Sequence, residues 1–87
     1  MASIRQLKMA LAVAEAKHFA KAGDLCHLAQ TTVSIGVAKL EDEIGYKLFK
    51  KAGSGSIKRF DGVTERGAVF LSKAAKIVAD YDEMMKG

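Results

Sequence analysis

The chain has no proline, no tryptophan and a single cysteine among its 87 residues. With no proline to interrupt helices and with Ala, Leu, Lys, Glu and Met prominent, a mainly α protein is expected. Cys26 stands alone, which excludes an internal disulfide and points to a cytosolic location. No apolar run approaches the roughly 20 residues of a membrane-spanning helix. No basic n-region followed by an apolar h-region marks a secretory leader, so no membrane partner is expected. Apolar residues nevertheless make up 49% of the chain, enough for one compact core and too many for a disordered tail.

Net charge is +4, with a sequence pI near 9.3, and it is unevenly spread. Between Lys47 and Arg66 the cations Lys47, Lys50, Lys51, Lys58, Arg59 and Arg66 face only Asp61 and Glu65. The remaining residues balance. The whole excess therefore sits in one segment, a local positive potential that phosphates seek; a solvated lysine-rich loop is the plainer reading.

The most informative stretch runs from Phe19 to Phe49 and reads as helix, tight turn, helix, then a basic strand. A first helix, with Ser3 and Gln6 as a capping box, should run to about Ala16 and bury Ile4, Leu7, Leu11 and Ala14. Lys17 and His18 break that pattern. A shorter helix from about Phe19 to Leu25 or Cys26 should bury Phe19, Ala22 and Cys26, with Gly23 allowing close backbone approach. After a turn over residues 27–30, a third helix runs from about Thr31 to Ile44 and stops at Gly45. Val33, Val37, Leu40 and Ile44 share its inner face; Thr31, Thr32, Ser34, Ile35, Ala38 and Lys39 lie opposite. A helix anchored on one side, with small polar groups on the other, can lie in a DNA major groove.

Beyond Gly45, residues 48–51 suit a short strand, residues 52–56 a flexible tip and residues 57–60 a returning strand, with Asp61-Gly62 as a turn. This is a candidate wing; a flexible basic loop is the alternative. Thr64 can cap a last helix to about Lys86, about 35 Å long at 1.5 Å per residue. Phe70, Ala74, Ile77, Tyr81 and Met84 step through it as a heptad seam, beside a second stripe of Leu71, Ala75, Val78 and Met85. One stripe can pack on the domain and the other should meet a partner helix, unless both bury against the first helix. Residues 1–63 are thus expected to form a winged helix-turn-helix, and residues 64–87 a linker and dimerisation helix.

Together, LAVAE (11–15), HFAKAGDLCHLAQTTVS (18–34), KLEDEIGYKLFKK (39–51) and VTERG (63–67), followed by the long helix, resemble the N-terminal winged helix-turn-helix domain of LysR-type transcriptional regulators. Around Cys26 and His27 the likeness is greatest to the family's peroxide-responsive branch. The resemblance implies a bacterial homodimer that binds double-stranded DNA, with the third helix in the major groove and the wing at the minor groove. It implies linker helices that pair antiparallel and a cytoplasmic, nucleoid-associated location. Full-length members of the family carry a further effector domain that this sequence lacks; an excised domain and a stand-alone relative both fit.

Carried over by position, Gln30, Thr31 and Ser34 stand where the family's third helix starts and touches DNA, with Thr32 beside them. Lys21 matches a frequent basic position near the DNA backbone, and Lys50, Lys51, Lys58 and Arg59 would reach phosphates or the minor groove. There are departures. Ala29 replaces a usual capping serine, at a cost of about 1 kcal/mol, and Thr31, in place of a common proline, could assume part of the cap. Ile35 stands where arginine is frequent; it could meet a thymine methyl, contact a protein, or do neither. The wing is also several residues longer than usual.

No enzyme and no cofactor are expected. Cys26 and His27 are neighbours on a helix and point about 100° apart, with no third orienting group, so Cys26 reads as a small core residue. His18 and His27 lack metal-ligand companions. Glu41, Asp42 and Glu43 read as a solvated acidic helix end. The expected function is sequence-specific DNA binding for transcriptional regulation. The alternative is a stand-alone winged-helix module that binds or antagonises another regulator.

Overall fold

The computed structural model describes residues 2–52 and 59–87. In chain order it contains α1 (Ile4–Ala16), α2 (Phe19–Cys26), α3 (Gln30–Ile44), β1 (Phe49–Ala52), β2 (Arg59–Val63) and α4 (Glu65–Lys86). The strands form one antiparallel pair, and the fold is a winged helix-turn-helix with a long C-terminal helix, as expected.

Helix α1 begins with the expected capping box. The Ser3 hydroxyl accepts from the Gln6 N–H at 3.2 Å, and the Gln6 side chain accepts from the Ser3 N–H at 3.0 Å. Its burial pattern differs from the expected one. Met9, Ala10, Ala12 and Val13 are buried, whereas Ile4, Leu7, Leu11 and Ala14 are half-buried on the other side. The reason is that α1 touches α2, α3 and α4, so no single stripe holds all its contacts. Lys17, in the left-handed region at φ 55°, ends the helix, and the His18 imidazole caps α2 by accepting from the Lys21 N–H at 3.3 Å.

Around α1 the core gathers Phe19, Ala22, Val33, Val37, Leu40, Leu48, Phe49 and Leu71. The Phe49 ring meets Phe19 edge-on at 6.2 Å and Phe60 at 5.8 Å, which seats the hairpin on the helices. Cys26 packs against this core half-buried, not fully within it.

The hairpin departs from expectation at Asp61-Gly62. These residues are not a turn; they lie inside β2. Phe49 pairs with Val63 and Lys51 with Phe60, so β2 carries one residue more than β1 over that span. The extra residue is a β-bulge, and Gly62, at φ 103°, adopts the backbone that the bulge needs. Of the tip expected over residues 52–56, Ala52 belongs to β1; the rest of it, together with Ile57 and Lys58, lies outside the described residues.

Thr64 fixes the exit from the hairpin. Its Oγ1 accepts from the Gly67 N–H at 2.9 Å and donates to the Lys47 carbonyl at 2.7 Å. The 22-residue α4 then buries Gly67, Leu71 and Ala74 in its first half. Further along, Lys8 reaches Asp82 at 2.9 Å and lies 5.7 Å from the Tyr81 ring centre. The stripe facing the domain is therefore a composite of the two expected ones. Of the expected seam, Ala74 is buried within the protomer, Phe70 packs on Tyr46, and Tyr81 is half-buried under Lys8. Ile77 and Met84 remain exposed, at 52% and 67%. Among the described residues, no helix is long and apolar enough to cross a membrane.

Candidate nucleic-acid interface

The turn between α2 and α3 is tight because its backbone folds onto α2. His27 takes a left-handed conformation at φ 58°, and the Leu28 N–H donates to the Gly23 carbonyl at 2.8 Å. A Cβ at Gly23 would lie 2.6 Å from the Leu28 carbonyl oxygen, so a glycine there sets how closely the turn approaches.

Helix α3 is anchored by Val33, Val37 and Leu40, all fully buried. Opposite them Thr31, Thr32, Ile35 and Lys39 are exposed, with Ser34 and Ala38 half-buried; Gln30 is exposed as the first residue of the helix. Ala29 is the N-cap and offers no side-chain hydrogen bond, so Thr31 does not take over the cap. Among the described residues, the first-turn N–H groups thus lie at the positive end of the helix dipole without a side-chain acceptor. Lys21 is exposed on α2.

The C-terminal end of α3 is where the expected reading fails. Glu41 is not a solvated acid: it is 2% exposed. Its Oε2 accepts from the Leu48 N–H at 2.7 Å and from the Phe49 N–H at 3.3 Å, both at the entrance to the wing. Its Oε1 has Lys51 Nζ 3.7 Å away and no hydrogen-bond partner among the described residues. The residue belongs to an acidic run, Glu41-Asp42-Glu43, whose other members are exposed, and that run masked it. The one signal was its register, since Glu41 lies one helical turn after the buried Val37.

Lys51, expected at phosphate, lies beside this carboxylate. Its ammonium is drawn toward Glu41 and sits 5.7 Å from the centre of the Phe19 ring. Lys50, next to it, is exposed. Arg59 pairs with Ala52 across the ladder, while Lys58 lies outside the described residues. At the base of the hairpin, Lys47, Lys50 and Arg66 line a shallow groove, and the Arg66 guanidinium lies 3.9 Å from the Tyr46 ring centre. Sequence reasoning had assigned neither Lys47 nor Arg66 a role. A hollow of about 550 Å³ lies between α1, the end of α2 and α4, lined in part by Leu11, Cys26 and Val78. Among the described residues, no group of three or more His, Cys, Asp or Glu could hold a metal ion.

A family model described as "Bacterial regulatory helix-turn-helix protein, lysR family" matches residues 4–68. The chain belongs to the LysR family. Among curated LysR-family relatives, it is 32% identical over 78 residues to the DNA-binding transcriptional dual regulator OxyR of Escherichia coli, covering 90% of this chain and 24% of that protein. It is 38% identical over 76 residues to the HTH-type transcriptional regulator TfdT of Cupriavidus pinatubonensis, covering 87% of this chain and 31% of that one. The chain thus spans about a quarter to a third of the length of these relatives. Among solved structures, the BenM DNA-binding domain in complex with catB site 1 DNA superposes with a TM-score of 0.83 at 32% identity, over 97% of this chain and 85% of that one. Full-length OxyR from Pseudomonas aeruginosa gives 0.86 at 28% identity, over 99% of this chain and 28% of that chain.

Proposed function

We propose that this LysR-family chain binds double-stranded DNA sequence-specifically as a homodimer and serves transcriptional regulation in the bacterial cytoplasm. The observation that carries the reading is the exposed N-terminal half of α3, rich in small polar groups and backed by a fully buried face. Relatives of the same fold are solved as DNA complexes.

In this reading α3 enters the major groove. Gln30 pairs with an adenine edge, and Thr31, Thr32 and Ser34 take base edges or phosphates. A phosphate oxygen substitutes for the missing cap at the N–H groups of Thr31 and Thr32. Lys21, Lys39 and Lys50 hold the DNA backbone, joined by Lys58 and Arg59 from the wing at the minor groove. Lys51 serves the protein instead. The second protomer pairs along α4 through exposed Ile77 and Met84, with Phe70 and Tyr81 at the margin and Ala74 supporting the helix from inside.

The test is the salt dependence of binding to a duplex selected from a random pool. Each phosphate contact contributes a slope of about −0.9 in log K against log salt. Lys39→Gln and Lys50→Gln should each flatten the slope by about that amount. Lys51→Gln should leave it unchanged. A flat salt response in the unsubstituted protein, or equal affinity for the selected and random duplexes, defeats the proposal.

A further inference from the structure

Ile35 is 57% exposed, and it is the large hydrophobic that α3 leaves in the open. At 100° per residue it lies about 40° from Thr31 and about 160° from buried Val33 and Val37, near the middle of the outward face. Around it stand exposed Thr31, Thr32 and Lys39, with half-buried Ser34 and Ala38. The other exposed large hydrophobics, Leu25, Val69, Ile77, Met84 and Met85, lie on α2 and α4. On this face Ile35 is thus one apolar side chain inside a polar frame, not part of the contiguous apolar patch that a protein partner requires. No acidic residue occurs from Leu25 to Leu40, so nothing on this stretch repels a polyanion. Being β-branched, the side chain has few rotamers and presents a stiff apolar surface.

We infer that Ile35 is a specificity-determining residue that recognises the C5-methyl group of a thymine in the major groove. That methyl group is the one apolar feature on a base edge otherwise made of donors and acceptors. An isolated isoleucine among hydroxyls complements it, and an arginine or lysine at this position would select guanine instead. The inference rests on α3 being the base-reading helix.

Replacing thymine by deoxyuridine removes only the methyl group and tests the contact directly. In the selected duplex each thymine is exchanged singly, and affinity is measured by fluorescence anisotropy. At one thymine per half-site the unsubstituted protein should bind about fourfold more weakly, the effect of one buried methyl group. Ile35→Ala should bind the thymine and uracil duplexes equally at that position, and Ile35→Val should retain part of the discrimination. Circular dichroism checks that the variants fold, which the exposure of the side chain favours. Salt-dependent, sequence-specific binding that is indifferent to every thymine exchange overturns the inference and leaves the proposed function standing. A methyl effect that persists undiminished in Ile35→Ala also overturns it, as does Ile35→Ala binding DNA like the unsubstituted protein, which would mark Ile35 as a contact for something else. Loss of all duplex preference in the unsubstituted protein defeats both readings.

Discussion

Removing the Glu41 carboxylate should loosen the wing from the body. The group is buried and accepts two backbone N–H groups, from Leu48 at 2.7 Å and Phe49 at 3.3 Å. Leu48 and Phe49 are themselves buried, so water cannot replace the acceptor without opening the core. Hydrogen bonds to a charged group are worth about 1.5–3 kcal/mol each, and a buried donor left unpaired costs about 1–3 kcal/mol. The longer bond to Phe49 belongs at the low end. The Lys51 ammonium, 3.7 Å away on a side chain only 20% exposed, would also lose its counter-charge. Glu41→Ala should therefore destabilise by about 3–5 kcal/mol, the usual cost of breaking a buried charged contact. For a domain of this size that lowers Tm by roughly 15–30 °C. Glu41→Gln keeps one acceptor oxygen for Leu48 and places amide hydrogens toward Lys51, so it should cost less, about 1–2 kcal/mol. Adding Lys51→Met to Glu41→Gln removes the opposed donors and should recover part of that loss. Urea unfolding followed by circular dichroism measures each variant at an unchanged m-value. A loss below about 1 kcal/mol in Glu41→Ala would refute the reasoning, because two buried amides cannot lose their acceptor so cheaply.

Two further outcomes follow from other parts of the chain. Ala29→Ser should supply the missing cap of α3 and stabilise the free protein by about 1 kcal/mol in the same unfolding assay; its DNA affinity should not rise, because the new hydroxyl competes with phosphate for the same N–H groups. Ile77→Glu with Met84→Glu places charge on the exposed side of α4 and should yield monomers in sedimentation equilibrium, with helical content preserved because neither side chain is buried in the protomer.

Much of the architecture was legible because it depends on local chemistry. Ser3 and Gln6, Gly45 and Thr64 mark helix ends by the hydrogen bonds they can make or the backbone they can adopt, and each stands at such an end. What failed depended on neighbours distant in sequence. The stripe on α1 was displaced because three helices surround it. Asp61-Gly62 has turn composition, yet the ladder partners Phe49 and Lys51 draw it into a bulge. On α4, two adjacent stripes compete for one docking face, and periodicity alone does not say which residues win. Glu41 was hidden by the acids beside it; its register after Val37 set it apart from Asp42, but the amides it accepts from, Leu48 and Phe49, are fixed only by the fold.

Glu41 and Thr64 together explain how one small domain keeps two reading elements in register. An acid in the last turn of α3 opposes the helix dipole, so local energetics disfavour it there. It persists as a buried group because the two amides at the start of β1 solvate it better than the helix end repels it. Thr64 does the matching work at the other end of the hairpin, where its hydroxyl joins the Lys47 carbonyl to the first turn of α4. Strand β1 is thereby pinned to α3 where the hairpin begins, and α4 is pinned to the same segment where it ends. The basic hairpin cannot swing relative to α3 without breaking one of these contacts. A loosened hairpin would present its cations in many arrangements, each paid for in ordering entropy on binding, whereas this one holds its base fixed beforehand. The acid that sequence reasoning assigned to solvent is thus the group that couples the helix proposed to read bases to the strand proposed to hold the backbone.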